Sequence, residues 1–339
     1  MRKRVKTKTS CLSLGKLPSA LLKELLASLS ISDAEIIIPP GVGRDAAGLK
    51  IGKRFFAVTT DPITFTTDQM VTYSLSVNIN DICCLGCFPR WYTGTLLLPL
   101  GTREADVRQY WRELNTALKK YSIQSIGGHV EVTDAVSRPV LVGQLIGESK
   151  YQRLLNPENI RPKDCLLLWQ SVAIEGTAII ARECKKKLKR YFSDYKINRM
   201  SSLLKNPGIC VLPYVEKILP YRGVVALHDP TEGGIATAIH ELADAVNCGV
   251  VVNYDQIPFL KETSQLADIF HFDPLGLIAS GCLLIACRPT CAQALLNKFQ
   301  ESLRFVGMFT ESSDRRMFKD NRCQLLPRFD KDEIIQVIS

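Results

Sequence analysis

Apolar residues recur along the chain in two alternating rhythms. Over 17–29 they fall at Leu21, Leu22, Leu25, Leu26 and Leu29, with Pro18 in the first turn. That 3.6-residue stripe predicts an amphipathic helix. A short apolar run, Ile36-Ile37-Ile38, breaks into Pro39-Pro40-Gly41-Val42-Gly43, so a strand is predicted to enter a glycine turn. Strands follow at 55–60, 92–98, 125–132 and 140–146, and helices at 71–85 and 104–121. The first of these strands is predicted to end on Asp61-Pro62.

The pattern pauses at Asn156-Pro157-Glu158 and then restarts. Strands are predicted at 165–169, 223–227, 250–253, 281–286 and 305–309, with helices at 175–189, 211–219, 235–246 and 291–299. Residues 198–208 and 323–339 read as polar connecting chain. Helices and strands interleave in both halves, which predicts two layered units with mixed α/β and α+β character, 1–157 and 158–339.

Length and charge narrow the class. The 339 residues suit two domains, and no apolar run reaches the roughly 20 residues of a membrane span. The basic start, Met1 to Lys8, leads into no apolar targeting segment, so a cytoplasmic protein without a membrane partner is expected. The net charge of +9 collects in that tail and in Lys185-Lys186-Lys187-Leu188-Lys189-Arg190. A solvated tail and helix face account for both. An RNA contact is the alternative, but no aromatic-interleaved basic strand accompanies them, and nucleic acid is not expected as a partner.

The 12 cysteines are scattered through aliphatic runs, as in a reduced protein with small core thiols. Cys83-Cys84-Leu85-Gly86-Cys87 contains a C-x-x-C, but no second pair at metal-site spacing follows. Packing against a helix face is its ordinary reading, and a redox dithiol the alternative.

Four acidic turns carry the chemistry. Asp45 sits among Gly41, Gly43 and Gly48, Asp61 follows Thr59-Thr60, Asp81 follows Asn78-Ile79-Asn80, and Asp229 opens His228-Asp229-Pro230-Thr231-Glu232-Gly233-Gly234 at the mouth of a predicted helix. Carboxylates cluster only at a cost unless a cation sits among them. Mg²⁺ takes one or two of them, with phosphate and water supplying the rest. Glycine turns and helix N-termini offer backbone N–H groups to phosphate. Each turn also has a plain structural reading, as an Asx turn, a pre-proline turn, or a cap.

Taken in order, Gly-Val-Gly-Arg-Asp-Ala-Ala (41–47), Thr-Thr-Asp-Pro-Ile (59–63), Asn-Ile-Asn-Asp-Ile (78–82), Gly-Gly-His-Val-Glu-Val-Thr (127–133), Ala-Ile-Glu-Gly-Thr-Ala (173–178), His-Asp-Pro-Thr-Glu-Gly-Gly (228–234) and Asp-Pro-Leu-Gly-Leu-Ile-Ala-Ser-Gly (273–281) resemble one family. It is the aminoimidazole ribonucleotide (AIR) synthetase-related superfamily. The family includes the purine synthetase, formylglycinamidine synthetase, selenophosphate synthetase, thiamine-monophosphate kinase and the hydrogenase-maturation protein HypE. The resemblance runs from about residue 14 to about 310 and is strongest to the HypE-like branch.

The resemblance implies a PurM-like N-terminal α/β domain that pairs with its twin in a homodimer, followed by a PurM-like α+β sandwich domain. Nucleotide would bind between them. It implies Asp45, Asp61, Asp81 and Asp229 as Mg²⁺ ligands around ATP, with Thr60, Asn80, Gly127, Gly128, Gly233 and Gly234 lining the nucleotide site. His129 and Glu131 are the implied catalytic candidates. The implied reaction is ATP-driven activation of an amide- or carbonyl-type oxygen, or phosphorylation of a small acceptor.

Several positions depart from the family pattern. Arg44 stands where a second acid is usual, and Val130 replaces a threonine in Gly-His-Thr-Glu. The last residues, Gln336-Val337-Ile338-Ser339, lack the terminal cysteine that accepts the carbamoyl group in HypE. Cys11 and Lys16 only loosely match the reactive pair of selenophosphate synthetase. A nucleotide-binding maturation accessory without turnover is therefore the alternative reading, and an RNA-associated protein a third.

Overall fold

The computed structural model describes residues 12, 17–64 and 69–338. The basic tail, Cys11 and Lys16 lie outside the described residues. Helix α1 (Ser19–Ala27) precedes a six-stranded sheet built from β1 (Ile36–Ile38), β2 (Ala46–Ile51), β3 (Arg54–Ile63), β4 (Phe88–Pro99), β5 (Gln124–Thr133) and β6 (Val140–Glu148). Its order is β1-β2-β3-β6-β4-β5, antiparallel throughout except for the parallel pair β4–β5. Helix α2 (Met70–Cys84) packs across β3 and β6, and α3 (Glu104–Lys120) packs against α2 and β5.

The second unit is a seven-stranded sheet in the order β13-β12-β9-β11-β7-β10-β8. Its strands are β7 (Cys165–Trp169), β8 (Val224–His228), β9 (Gly249–Asn253), β10 (Leu283–Cys287), β11 (Leu303–Thr310), β12 (Arg315–Lys319) and β13 (Arg322–Leu325). The helices around it are α4 (Ile174–Glu183), α5 (Lys185–Leu188), α6 (Asp194–Ser201), α7 (Leu212–Ile218), α8 (Gly234–Asp244), α9 (Lys261–Phe270), α10 (Pro289–Phe299) and α11 (Ile334–Ile338).

Strands β7 and β10 are buried along their whole length, which explains their unbroken apolar sequences. Leu166, Leu168, Leu284 and Ala286 face the core under α4 and α8. Leu167, Trp169, Leu283 and Ile285 face a second core that continues through α7 and α10 into Ile79, Ile82 and Cys83 of α2. Burying one such leucine is worth about 1.5–3 kcal/mol. Because this second core runs from one unit into the other, α2 is held against the second sheet. Cys83 and Cys87 are fully buried in it, in line with the packing reading of the C-x-x-C.

Some elements differ from the sequence pattern. Strand β3 continues through Asp61 and Pro62 instead of stopping before them. The pairing with β2 ends at Ala46 opposite Thr59, so beyond that point one side of β3 is unpaired and tolerates proline's missing N–H. The predicted glycine turn closes at 41–44, and strand β2 already begins at Ala46 within its expected span. Its Gly48 leaves no room for a side chain, since a Cβ would come 2.6 Å from Leu154 and 2.9 Å from Ile38.

The helix predicted over 175–189 breaks at Cys184, where three consecutive lysines begin. Part of the polar stretch 198–208 is helix α6, capped by the Ser193 side chain and anchored by only two buried residues, Ile197 and Met200. Helix α9 and strands β12 and β13 were also not apparent in the pattern. Strand β13 is exposed at every position, so no alternation marks it.

Candidate functional site

The site forms where the end of β3, helix α2 and the end of β8 meet. Alternation along β3 puts Thr59 and Asp61 on the face under α2 and leaves Thr60 exposed on the other side. The Thr59 hydroxyl is the hub. It lies 2.7 Å from Asp81 Oδ2, 2.8 Å from the Asp45 carbonyl oxygen and 3.5 Å from Asp61 Oδ2. The Asp45 carbonyl can only accept its one proton, whereas Asp81 donates to the hydroxyl when protonated and competes for that proton when ionised.

The electrostatics show how tightly the acids converge. Burial holds the Asp81 carboxyl well above the ordinary carboxylate range, and the charges of Asp45, Asp61 and Asp229 push it further the same way. Asp229 is raised to about 6, by burial first and by Asp45, against the opposing pull of the His228 cation. Two unit charges about 5 Å apart repel by about 3 kcal/mol at an effective dielectric of about 20. The Cys84 thiol donates to Asp229 Oδ1 at 3.4 Å, and Asp229 Oδ2 is buried with no hydrogen-bond partner. His228 is held by Glu241, with Nε2 2.7 Å from Oε2. Burial lowers the His228 pKa, but Glu241, Asp229 and Asp45 outweigh it and lift the imidazole to about 9.

Other candidate residues are spent on structure. The Asn80 amide donates to the Ile209 carbonyl at 2.9 Å, and its oxygen accepts from the Val211 N–H at 2.9 Å. Asn80 therefore clamps α2 to the segment before α7. Arg44 donates to the Pro39 carbonyl and pairs with Glu158. Gly233 and Gly234 take the left-handed backbone at the mouth of α8, with φ of 78° and 65°. A Cβ on Gly234 would come 2.4 Å from the Leu275 carbonyl oxygen, so close packing alone requires that glycine. The Gly233 N–H does not face open cleft but donates to Asp332 Oδ2 at 2.7 Å.

The motif at 127–131 lies elsewhere. Gly127, Gly128, His129 and Glu131 are on β5, the edge strand, and all are exposed. One row of the sheet runs Asp61, Gly143, Gly94, Gly128, which places Gly128 three strand spacings, about 14 Å, from Asp61. His129 Nε2 lies 3.3 Å from Glu131 Oε2 in solvent. Within one chain, then, the four aspartates come together and the two catalytic candidates stand apart from them.

Sequence reasoning missed Thr59, Cys84, the His228–Glu241 pair and Asp332. Period-two alternation from Asp61 points to Thr59 in place of Thr60. No local signal reveals Asp332, which arrives from the far end of the chain.

The donor set suits a hard cation that arrives with phosphate. Among the described residues no three His, Cys, Asp or Glu side chains are grouped to hold a metal ion unaided. One or two carboxylates per ion is the share that Mg²⁺ takes when phosphate oxygens and water complete its shell. The mutual repulsion of the acids and the unpartnered Asp229 Oδ2 are what such a cation would relieve.

Comparison with known proteins gives a consistent result. Residues 43–149 match the profile of the AIR synthase related protein N-terminal domain, and residues 161–319 match that of the C-terminal domain. A putative hydrogenase expression/formation protein of Methanocaldococcus jannaschii is 25% identical over 83% of this chain and 84% of its own length. The carbamoyl dehydratase HypE of Cupriavidus necator is 23% identical, over 83% of this chain and 78% of that protein. Among solved structures, a HypE–HypF complex superposes with a TM-score of 0.74 at 17% identity, covering 91% of this chain and all 100% of that one. HypE in complex with ATP gives 0.70 at 20% identity, covering 86% and 90% of the two chains. These superpositions show a shared two-domain α/β fold with mixed sheets.

Proposed function

Because the chain belongs to the AIR synthase-related protein family, and because four of its aspartates converge on one cleft, we propose that it is a Mg²⁺- and ATP-dependent enzyme. Its reaction would activate an amide- or carbonyl-type oxygen, or phosphorylate a small acceptor. The convergence of Asp45, Asp61, Asp81 and Asp229 carries this reading.

Asp81 and Asp229 would hold the cation from the α2 and β8 sides, with Asp45 and Asp61 completing the rim. The bound cation would supply charge neutralisation on the nucleotide phosphates. Thr59 keeps the Asp81 carboxylate oriented, and the His228–Glu241 pair fixes Asp229 from behind. The core shared by α2 and the second sheet fixes the width of the cleft.

The proposal includes a homodimer through β5. On one face of this edge strand Val130 and Val132 are 40% and 52% exposed, and Ile126, left unpaired at a bulge, is 58% exposed. An exposed apolar edge invites strand or face pairing with a second copy. His129 and Glu131, on the alternate positions, would meet an aspartate cluster only across such a pairing.

The functions named for the relatives, carbamoyl dehydration and thiamine-monophosphate phosphorylation, set the first acceptors to try: carbamoyl compounds, simple amides and thiamine monophosphate. Phosphate or ADP release with Mg²⁺ and ATP should depend on one of them and fall at least roughly a hundredfold in Asp81→Asn. The second reading is nucleotide binding without turnover, favoured by Arg44 standing in an acid's place and being tied to Glu158. Tight Mg²⁺–ATP binding with no acceptor-dependent release would select it.

A further inference from the structure

The basic run at 185–190 lies away from the aspartate cleft. Helix α4 starts five residues past Trp169, which pairs with Leu283, and the next residue, Leu284, pairs with His228. So α4 begins at the aspartate end of the second sheet. Its 10 residues carry the chain about 15 Å before α5 begins. Residues 182–205 hold nine lysines and arginines against two acids, Glu183 and Asp194. Outside this stretch and the tail 1–16 the chain is net acidic, with 32 acids against 28 basic residues. The positive charge is therefore gathered and not spread.

Four buried side chains, Leu188, Phe192, Ile197 and Met200, anchor α5 and α6 on the core and leave the charges outside. Two contacts tie the helices side by side. Lys185 Nζ lies 3.3 Å from Asn198 Oδ1, and Lys189 Nζ lies 3.1 Å from Asp194 Oδ1. The second contact spends one of the two acids. Lys186 and Arg190 are exposed and make no ion pair among the described residues. An open groove of about 730 Å³ is lined by Arg182, Lys185, Lys186, Lys187 and Lys189, with Glu183 as its one carboxylate. Such a concave, single-sign surface concentrates anions.

Two aromatic rings stand beside it. Tyr191 follows Arg190 directly, and Tyr195 precedes Lys196 in the first turn of α6. They are 57% and 75% exposed, more than any other of the ten tyrosines. A solvated helix face has no use for an open ring. Lysines alone would suit any polyanion. A membrane surface would need large apolar side chains on the outer face, and α5 and α6 bury theirs. Open rings among lysines match a strand that offers phosphates and unstacked bases together.

We propose that α5 and α6 form a docking surface for single-stranded nucleic acid. Lys186, Arg190 and the lysines of the groove meet the phosphates, while Tyr191 and Tyr195 stack on bases. Neither contact reads base edges, so binding is tolerant of sequence. The surface shares no residue with the aspartate cleft, and the inference is independent of the nucleotide reading.

Fluorescence anisotropy of a labelled oligouridylate of about 12 nucleotides, titrated with the full-length protein, tests this. With about four phosphates contacted, affinity should fall roughly fiftyfold between about 50 and about 200 mM salt. The double variant Lys186→Glu with Arg190→Glu should weaken binding at least roughly tenfold. Alanines at Arg2, Lys3 and Arg4 of the tail should leave most of the affinity. Tyr195→Ala should cost roughly tenfold with the oligonucleotide, yet leave binding of heparin, which carries charge without bases, unchanged. Circular dichroism melting curves confirm that each variant folds. No binding at the lower salt, loss of binding in the tail variant alone, or equal losses for heparin and oligouridylate in Tyr195→Ala would overturn the proposal.

Discussion

The aspartate cluster and the β5 edge both carry motifs that resemble those of the family, yet the single chain treats them in opposite ways. Asp81 and Asp229 are buried, drawn together by the core that α2 shares with the second sheet. His129 and Glu131 stand in solvent on an unpaired strand with apolar neighbours also exposed. The difference teaches that tertiary packing within one chain is enough to bring the aspartates together. The β5 edge stays uncovered, and only the proposed pairing with a second copy would bring it to such a cluster.

The largest effect that would break this contrast lies at Asn80. Removing its side chain in Asn80→Ala leaves the Ile209 carbonyl and Val211 N–H unsatisfied in a buried place, at about 1–3 kcal/mol each. Urea unfolding should show a loss of about 2–5 kcal/mol, and Mg²⁺–ATP affinity should fall with the loosened cleft. An unchanged midpoint would mean that the clamp does not hold α2 to the second unit.

Next in size is the pH dependence of the ligand-free protein. Asp229 titrates near 6 in the fold against an ordinary 3.8, so the native state holds its proton more tightly than the unfolded chain does. Its contribution is therefore fully present below pH 3.8 and lost as pH rises through 6. His228 has the same sign, with stability lost between 6.5 and 9. Melting temperatures of wild type and Asp229→Asn should diverge across pH 4–6, with wild type losing relative stability as pH rises, and Mg²⁺ with ATP should restore it. Parallel curves would remove the electrostatic case for a cation here.

The smallest effects belong to the edge. His129→Ala should change stability by no more than about 0.5 kcal/mol, as expected for an exposed side chain without a buried partner. Val130→Asp should shift the species seen by analytical ultracentrifugation from dimer to monomer while leaving the fold intact. A wild-type protein that is monomeric at micromolar concentration would refute the pairing through β5.

Much of this architecture was legible in the chain, for reasons particular residues make plain. The runs Cys165–Trp169 and 283–287 advertise their strands because every residue in them is buried, whereas the stripe at Leu21, Leu22, Leu25 and Leu26 marks its helix by period alone, with Leu25 exposed and the other three half-buried. Helix α6 and strands β12 and β13 were hidden because few of their residues are buried, so little periodicity is written into them. The four aspartates were found through their glycine, proline and amide neighbours. Thr59 was passed over for Thr60 because β3 was expected to stop early, which hid the face that Thr59 shares with Asp61. Asp332 could not be found locally, since its contact with Gly233 spans 99 residues.

The most direct measurement is calorimetric titration of Mg²⁺–ATP into wild type and Asp229→Asn at pH 7.5, with circular dichroism confirming both folds. Binding by wild type that needs Mg²⁺ and weakens at least roughly tenfold in the variant is the predicted result. Equal affinity in the two proteins, or no binding by wild type, would contradict a cation held at the meeting point of β3, α2 and β8.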